Sequence, residues 1–116
     1  MNQAASNPAV TPEIQALVEA IVQAAQPLRV ILFGSRARGT AGPDSDADLL
    51  IVQAEPEAVH PSRWRELQRI RAALRDIPVA KDLLLYRPHE FNYWRDSLNH
   101  VVGRAVREGI VLYERS

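Results

Sequence analysis

Two apolar runs in this chain each adjoin a short motif of polar or small residues. Val30-Ile31-Leu32-Phe33 stops at Gly34-Ser35, and Leu49-Leu50-Ile51-Val52 is entered through Asp46-Ala47-Asp48. Unbroken β-formers of this length read as buried strands. Gly34 lets the backbone turn without a Cβ and admits another group closely. Ser35 stands where a helix can begin, so its hydroxyl is free to cap the turn or to meet a phosphate oxygen. Arg36 and Arg38 add positive charge beside it. In a strand, residues two apart project from one face, so Asp46 and Asp48 stand side by side. Two such carboxylates repel and raise each other's pKa unless a cation neutralises them. Mg²⁺ suits the pair, because it takes oxygen ligands and bridges carboxylates to substrate phosphates.

The competing reading is an acidic turn, since Gly42-Pro43-Asp44-Ser45-Asp46 holds good turn formers. A turn accounts for Asp44 and Ser45 but not for Asp48 inside an apolar strand, where a lone carboxylate is costly. A third acid, Asp82, lies in the strand-like run Val79-Ala80-Lys81-Asp82-Leu83-Leu84-Leu85-Tyr86 and is the only acid within it. A neighbouring strand can bring Asp82 beside Asp46 and Asp48, giving a cluster of the kind that supports metal-assisted in-line displacement. Pairing of Asp82 with Lys81 or with a nearby arginine is the structural alternative.

Gly34-Ser35, the ten residues 36–45, and then Asp46-Ala47-Asp48 resemble the nucleotidyltransferase superfamily that includes the DNA polymerase beta-like enzymes. The small size and spacing are most similar to its minimal nucleotidyltransferase group, and the ending Arg107-Glu108-Gly109-Ile110-Val111-Leu112-Tyr113-Glu114 resembles how such domains finish. The resemblance runs from about Thr11 onward, with its specific part in residues 33–52. It implies that Asp46, Asp48 and Asp82 hold metal and do the chemistry, and that Gly34, Ser35 and Arg36 bind ATP. It also implies an antitoxin role: AMP passes from ATP to a tyrosine of a HEPN-type ribonuclease toxin, and nucleic acid is involved only indirectly. A non-catalytic module that neutralises its partner by contact alone is the alternative function.

The 116 residues provide for one domain, not two. We expect a flexible tail over residues 1–10 and a single nucleotidyltransferase domain over 11–116. Lys plus Arg and Asp plus Glu each number 14, so net charge gives no steering toward nucleic acid. The absence of cysteine excludes disulfides and thiolate metal sites. No apolar run is long enough to span a membrane, and Met1-Asn2-Gln3-Ala4-Ala5-Ser6 lacks a secretory pattern, so a soluble cytoplasmic protein is expected.

Thr11 can cap a helix with Pro12 at its first position, and Ile14, Leu17, Val18, Ile21, Val22 and Ala25 then recur at helical spacing up to Pro27. His60-Pro61-Ser62 opens a second helix with Trp64, Leu67, Ile70, Leu74 and Ile77 inward. Pro88 opens a third, running through Phe91, Trp94, Leu98, Val101, Val102, Ala105 and Val106 to a cap at Gly109. Ile110 to Tyr113 is a last strand. This order predicts an α/β (α+β) fold, a small mixed sheet with helices covering one face.

Trp64 and Trp94 read as packing. His60, His89 and His100 lack metal-ligand spacing and read as surface residues. Tyr86 and Tyr113 read as strand packing. Arg63, Arg65, Arg69, Arg71 and Arg75 fit either a solvated helix face or a contact surface for RNA or an acidic partner. Tyr93 and Ile110 are candidates for an exposed apolar surface on the third helix that helps dock the acceptor.

Overall fold

The computed structural model describes residues 7–42, 45–56 and 62–115. Residues 1–6 of the expected tail, Pro43 and Asp44 of the acidic turn, and His60 and Pro61 before the second helix lie outside the described residues. Helix α1 (Pro12–Ala25) starts as its sequence dictates, with the Thr11 hydroxyl accepting from the Ile14 amide and Pro12 in the first turn. It ends at Gln26, which takes the left-handed conformation (φ 50°) and donates its amide to the Val22 carbonyl. Asn7 to Val10, expected as tail, form a turn in which the Asn7 side chain accepts from the Ala9 amide; Ala9 and Val10 pack on the core.

Strand β1 (Arg29–Phe33) leads into the single-turn helix α2 (Ser35–Arg38), and β2 (Ala47–Val52) returns antiparallel beside β1. Helix α3 (Arg63–Leu74), capped by the Ser62 hydroxyl, is the crossover that lets β3 (Lys81–Tyr86) lie parallel to β2. After α4 (Pro88–Trp94) and α5 (Val101–Glu108), β4 (Ile110–Glu114) pairs antiparallel with the other side of β1. The sheet order is therefore β3-β2-β1-β4, a mixed α+β sheet as predicted.

Both faces of the sheet are covered, not one. Val30, Leu32, Leu49, Ile51, Leu83, Leu85 and Leu112 pack with α1 and α3, while Ile31, Leu50 and Val52 pack with Phe91 of α4 and with Val102 and Ala105 of α5. Burial on both faces explains why Leu49–Val52 is apolar throughout instead of alternating. The expected third helix is two helices. The chain turns over Arg95–His100, His100 Nδ1 accepts from the Val102 amide to start α5, and Leu98 is 76 % exposed. Gly103 makes the return possible, since a Cβ there would stand 1.9 Å from the Ser97 carbonyl oxygen.

Trp64, expected inside, is 68 % exposed in the first turn of α3, ahead of the residues that reach the core. Trp94 is only partly covered and stacks on His100, with ring centroids 4.1 Å apart. His100 is therefore a capping and stacking residue rather than a free surface histidine. Tyr86 and Tyr113 pack against the two cores as expected. Tyr93 is exposed, whereas Ile110 is half-buried against the first core and belongs to β4, so the two do not form one helical surface.

A buried ion pair ties the crossover to the end of β3. Arg87, 3 % exposed, donates both terminal nitrogens to the Glu66 carboxylate and one of them also to the Ala54 carbonyl. Its amide donates to Glu90, which closes the first turn of α4.

Candidate active site

The leading ends of β2 and β3 and the trailing end of β1 meet at one edge of the sheet, and the acids gather there. Parallel pairing places Asp48 directly opposite Asp82, and antiparallel pairing places Phe33 opposite Asp48. Asp48 alternates with Leu49, so it shares a face with Leu50 and Val52, the face covered by α4 and α5. Asp82 lies on that same face by register, and Asp46, two residues before Asp48, joins them at the strand entrance.

Asp48 is half-buried, and burial raises its pKa above the usual 3.8; the Asp82 and Asp46 charges raise it further, and Arg38 opposes them. Three carboxylates thus share one field. Among the described residues none of them forms an ion pair or a side-chain hydrogen bond, and no three acids or imidazoles converge into a ready-made cation cage. Carboxylate oxygens are donors of the kind a divalent cation takes, and Arg38 is the cationic side chain whose charge acts on Asp48.

Gly34 holds Asp48 in place from below. It adopts φ 75°, ψ −158°, and a Cβ on it would stand 2.2 Å from Asp48 Oδ2. Only glycine fits both the backbone and the contact. Ser35 is the first residue of α2; its carbonyl accepts from the Gly39 and Thr40 amides, closing the turn. Among the described residues its hydroxyl makes no hydrogen bond, and no side chain caps the first turn of α2.

The two arginines of α2 divide their work. Arg36 Nε donates to the Ser45 carbonyl at 2.9 Å, and the Ser45 hydroxyl accepts from the Gly42 amide, which pins the segment entering Asp46. Arg38, which the sequence marked only as added charge, is the arginine whose field acts on Asp48; it also lies 3.5 Å from Glu108 at the end of α5. Residues two apart on a single helical turn point to different sides, so spacing alone could not assign these roles.

Lys81 does not pair with Asp82. Its ammonium donates to the Leu74 and Ile77 carbonyls at 2.9 and 2.8 Å, closing the C-terminal end of α3 on the opposite face of the sheet. Asp82 itself remains exposed and unpaired among the described residues. In α3, Arg63 pairs with Glu90, while Arg65, Arg69, Arg71 and Arg75 are solvent-exposed.

Residues 14–112, which include β1 to β3, the start of β4 and the whole acid cluster, match the nucleotidyltransferase domain family. The chain belongs to that family. Solved structures with the same fold include a protein of Sulfolobus solfataricus described as a nucleotidyltransferase. It is 20 % identical with a TM-score of 0.59, over 89 % of this chain and 78 % of that one. A toxin-antitoxin structure with AMP-PNP is 21 % identical with a TM-score of 0.56, over 91 % and 76 % of the two chains. At these identities the likeness is one of fold. No curated protein sequence is similar enough to count as a match. Within this nucleotidyltransferase domain no described helix is long and apolar enough to cross a membrane.

Proposed function

We propose that this nucleotidyltransferase transfers AMP from ATP, with Mg²⁺, to a tyrosine hydroxyl of a HEPN-type ribonuclease toxin and so acts as its antitoxin. The observation that carries the chemistry is the register of Asp48 against Asp82, with the Asp46 charge acting on Asp48 and Gly34 packed against the Asp48 carboxylate. The antitoxin role is supported by the resemblance of the motif to minimal nucleotidyltransferases and by the shared fold with a toxin-antitoxin protein.

In this reading Gly34 and Ser35 seat the triphosphate, with the Ser35 hydroxyl donating to a phosphate oxygen, and Arg36 keeps the segment before Asp46 in position. Asp46, Asp48 and Asp82 are the residues that hold Mg²⁺. Bound there, the ion neutralises charge on the phosphates and favours attack at the α-phosphorus. Asp82, which is exposed, accepts the proton of the acceptor hydroxyl as its oxygen bonds to the α-phosphorus and the bond to pyrophosphate breaks. The pKa of Asp48 is raised first by its burial and then by the Asp82 and Asp46 charges, and Mg²⁺ held there would oppose that rise.

The test is transfer of label from ATP labelled at the α-phosphorus, with Mg²⁺ and a HEPN-type partner. Label on a partner tyrosine supports the reading, and no transfer with any nucleotide or partner refutes it. Contact neutralisation alone predicts instead that Asp46→Asn with Asp48→Asn still fully silences the partner.

A further inference from the structure

Helix α3 carries more positive charge than the fold uses. The Glu66 carboxylate is taken up by Arg87, and Arg63 pairs with Glu90. Arg65, Arg69, Arg71 and Arg75 remain exposed, and among the described residues none of their guanidinium groups has an ion pair or a hydrogen bond. Asp76, just past the helix, is exposed and does not pair with them either. Ile70 and Leu74 are buried and fix the inward side of the helix. At about 100° per residue, Arg65 and Arg69 then fall on one flank of the outward face and Arg71 and Arg75 on the other, with the exposed Gln68 and Ala72 between them. The result is a basic track about 15 Å long, on a chain whose net charge is zero. Trp64, 68 % exposed, stands at the start of the track, and among the described residues no ring or cation covers it.

The charge and the indole together select the occupant. Like charges keep this face from packing on a second copy of itself. A protein partner would have to set a carboxylate against each of four guanidinium groups, because one left unpaired inside an interface is costly. A nucleic-acid strand supplies a phosphate at every residue, keeps the contact wet, and offers an exposed indole bases to stack on. A duplex covers its base faces, so the tryptophan favours a single strand. We infer that the outward face of α3 binds single-stranded nucleic acid, with Arg65, Arg69, Arg71 and Arg75 on the phosphates and Trp64 stacked on a base. Helix α3 packs on the face of the sheet opposite the one that carries Asp48, so this site stands apart from the acid cluster and does not rest on the proposed transfer.

The probe is a short fluorescein-labelled single-stranded RNA of mixed sequence, titrated with the full chain and followed by anisotropy without ATP or Mg²⁺. Contact with about four phosphates of a single strand predicts that affinity falls about fiftyfold between about 50 and 200 mM salt. Replacing Arg69 and Arg71 together with glutamine should roughly halve the slope of log affinity against log salt. Trp64→Leu should weaken binding at least about fivefold with the slope unchanged, which separates stacking from charge. DNA of the same sequence is the second arm: equal binding supports recognition of phosphate and base alone, and tighter binding of RNA adds the ribose hydroxyl to it. No change in anisotropy at low salt overturns the inference, as does a slope that ignores Arg69 and Arg71. Duplex RNA binding as tightly as the single strand overturns it too. Competition by a polyglutamate peptide of matched charge, as effective as unlabelled RNA, overturns it by assigning the face to an acidic polypeptide.

Discussion

Replacing Gly34 with alanine separates the two demands that the active site makes on one residue. The first demand is backbone conformation: φ 75°, ψ −158° is a region that side chains avoid, and holding alanine there costs about 1–3 kcal/mol. For a domain of this size each kcal/mol lowers Tm by roughly 4 °C, so thermal unfolding followed by circular dichroism should show a fall of about 4–12 °C. The second demand is space, because the new Cβ would stand 2.2 Å from Asp48 Oδ2. The carboxylate sits at the end of a rotatable side chain, so it yields by retreating about 1 Å rather than unfolding the strand. Misplacing a reacting group by about that much costs on the order of a hundredfold in rate. Combining Gly34→Ala with Asp48→Ala removes the contact but not the backbone strain, so the stability loss from Gly34→Ala should persist in the Asp48→Ala background. A Gly34→Ala variant with wild-type Tm and wild-type transfer would refute both halves of the reasoning.

Asp48→Asn should melt above the wild type at pH 7 without ligand. The folded state holds the Asp48 proton more tightly than the unfolded chain, so its contribution to stability is lost as pH rises through the raised pKa; the advantage of asparagine should fade as pH falls toward 3.8. Calorimetry should show Mg²⁺ promoting ATP binding in the wild type and no such coupling in Asp48→Ala; equal affinity with and without the ion in the wild type would remove the cation from the account. Lys81→Met should cost about 1–3 kcal/mol by freeing the Leu74 and Ile77 carbonyls while leaving ATP affinity unchanged, and a large loss of affinity would tie Lys81 to the site. Arg87→Met should cost about 3–5 kcal/mol in denaturant unfolding, because Glu66 is left buried and charged; a neutral result would show that the pair is replaceable by packing.

Much of this arrangement is written locally. Thr11 and Ser62 cap their helices because a hydroxyl before the first turn has few other uses, and Asp48 shares a face with Leu50 and Val52 because strand geometry leaves no choice. Asp82 stood out as the lone acid of its run, but its place opposite Asp48 depends on a parallel crossover that no local pattern specifies. The break between α4 and α5 was hidden because Leu98 keeps the helical spacing while pointing to solvent, and the decisive groups are a histidine cap and a carbonyl seated on Gly103. The second covered face of the sheet was legible only in hindsight, from a strand that does not alternate. Arg38 acts on Asp48 through space, which sequence spacing does not encode.

The central claim is that the carboxylates opposed across β2 and β3 carry out nucleotidyl transfer, and it is tested most directly by Asp82→Asn. With ATP labelled at the α-phosphorus, Mg²⁺ and a HEPN-type partner, the wild type should label the partner. The variant should transfer on the order of a hundredfold or more slowly, as loss of a proton acceptor entails. Its ATP and partner affinities should stay within a few-fold of wild type. Transfer by Asp82→Asn at the wild-type rate would contradict the account.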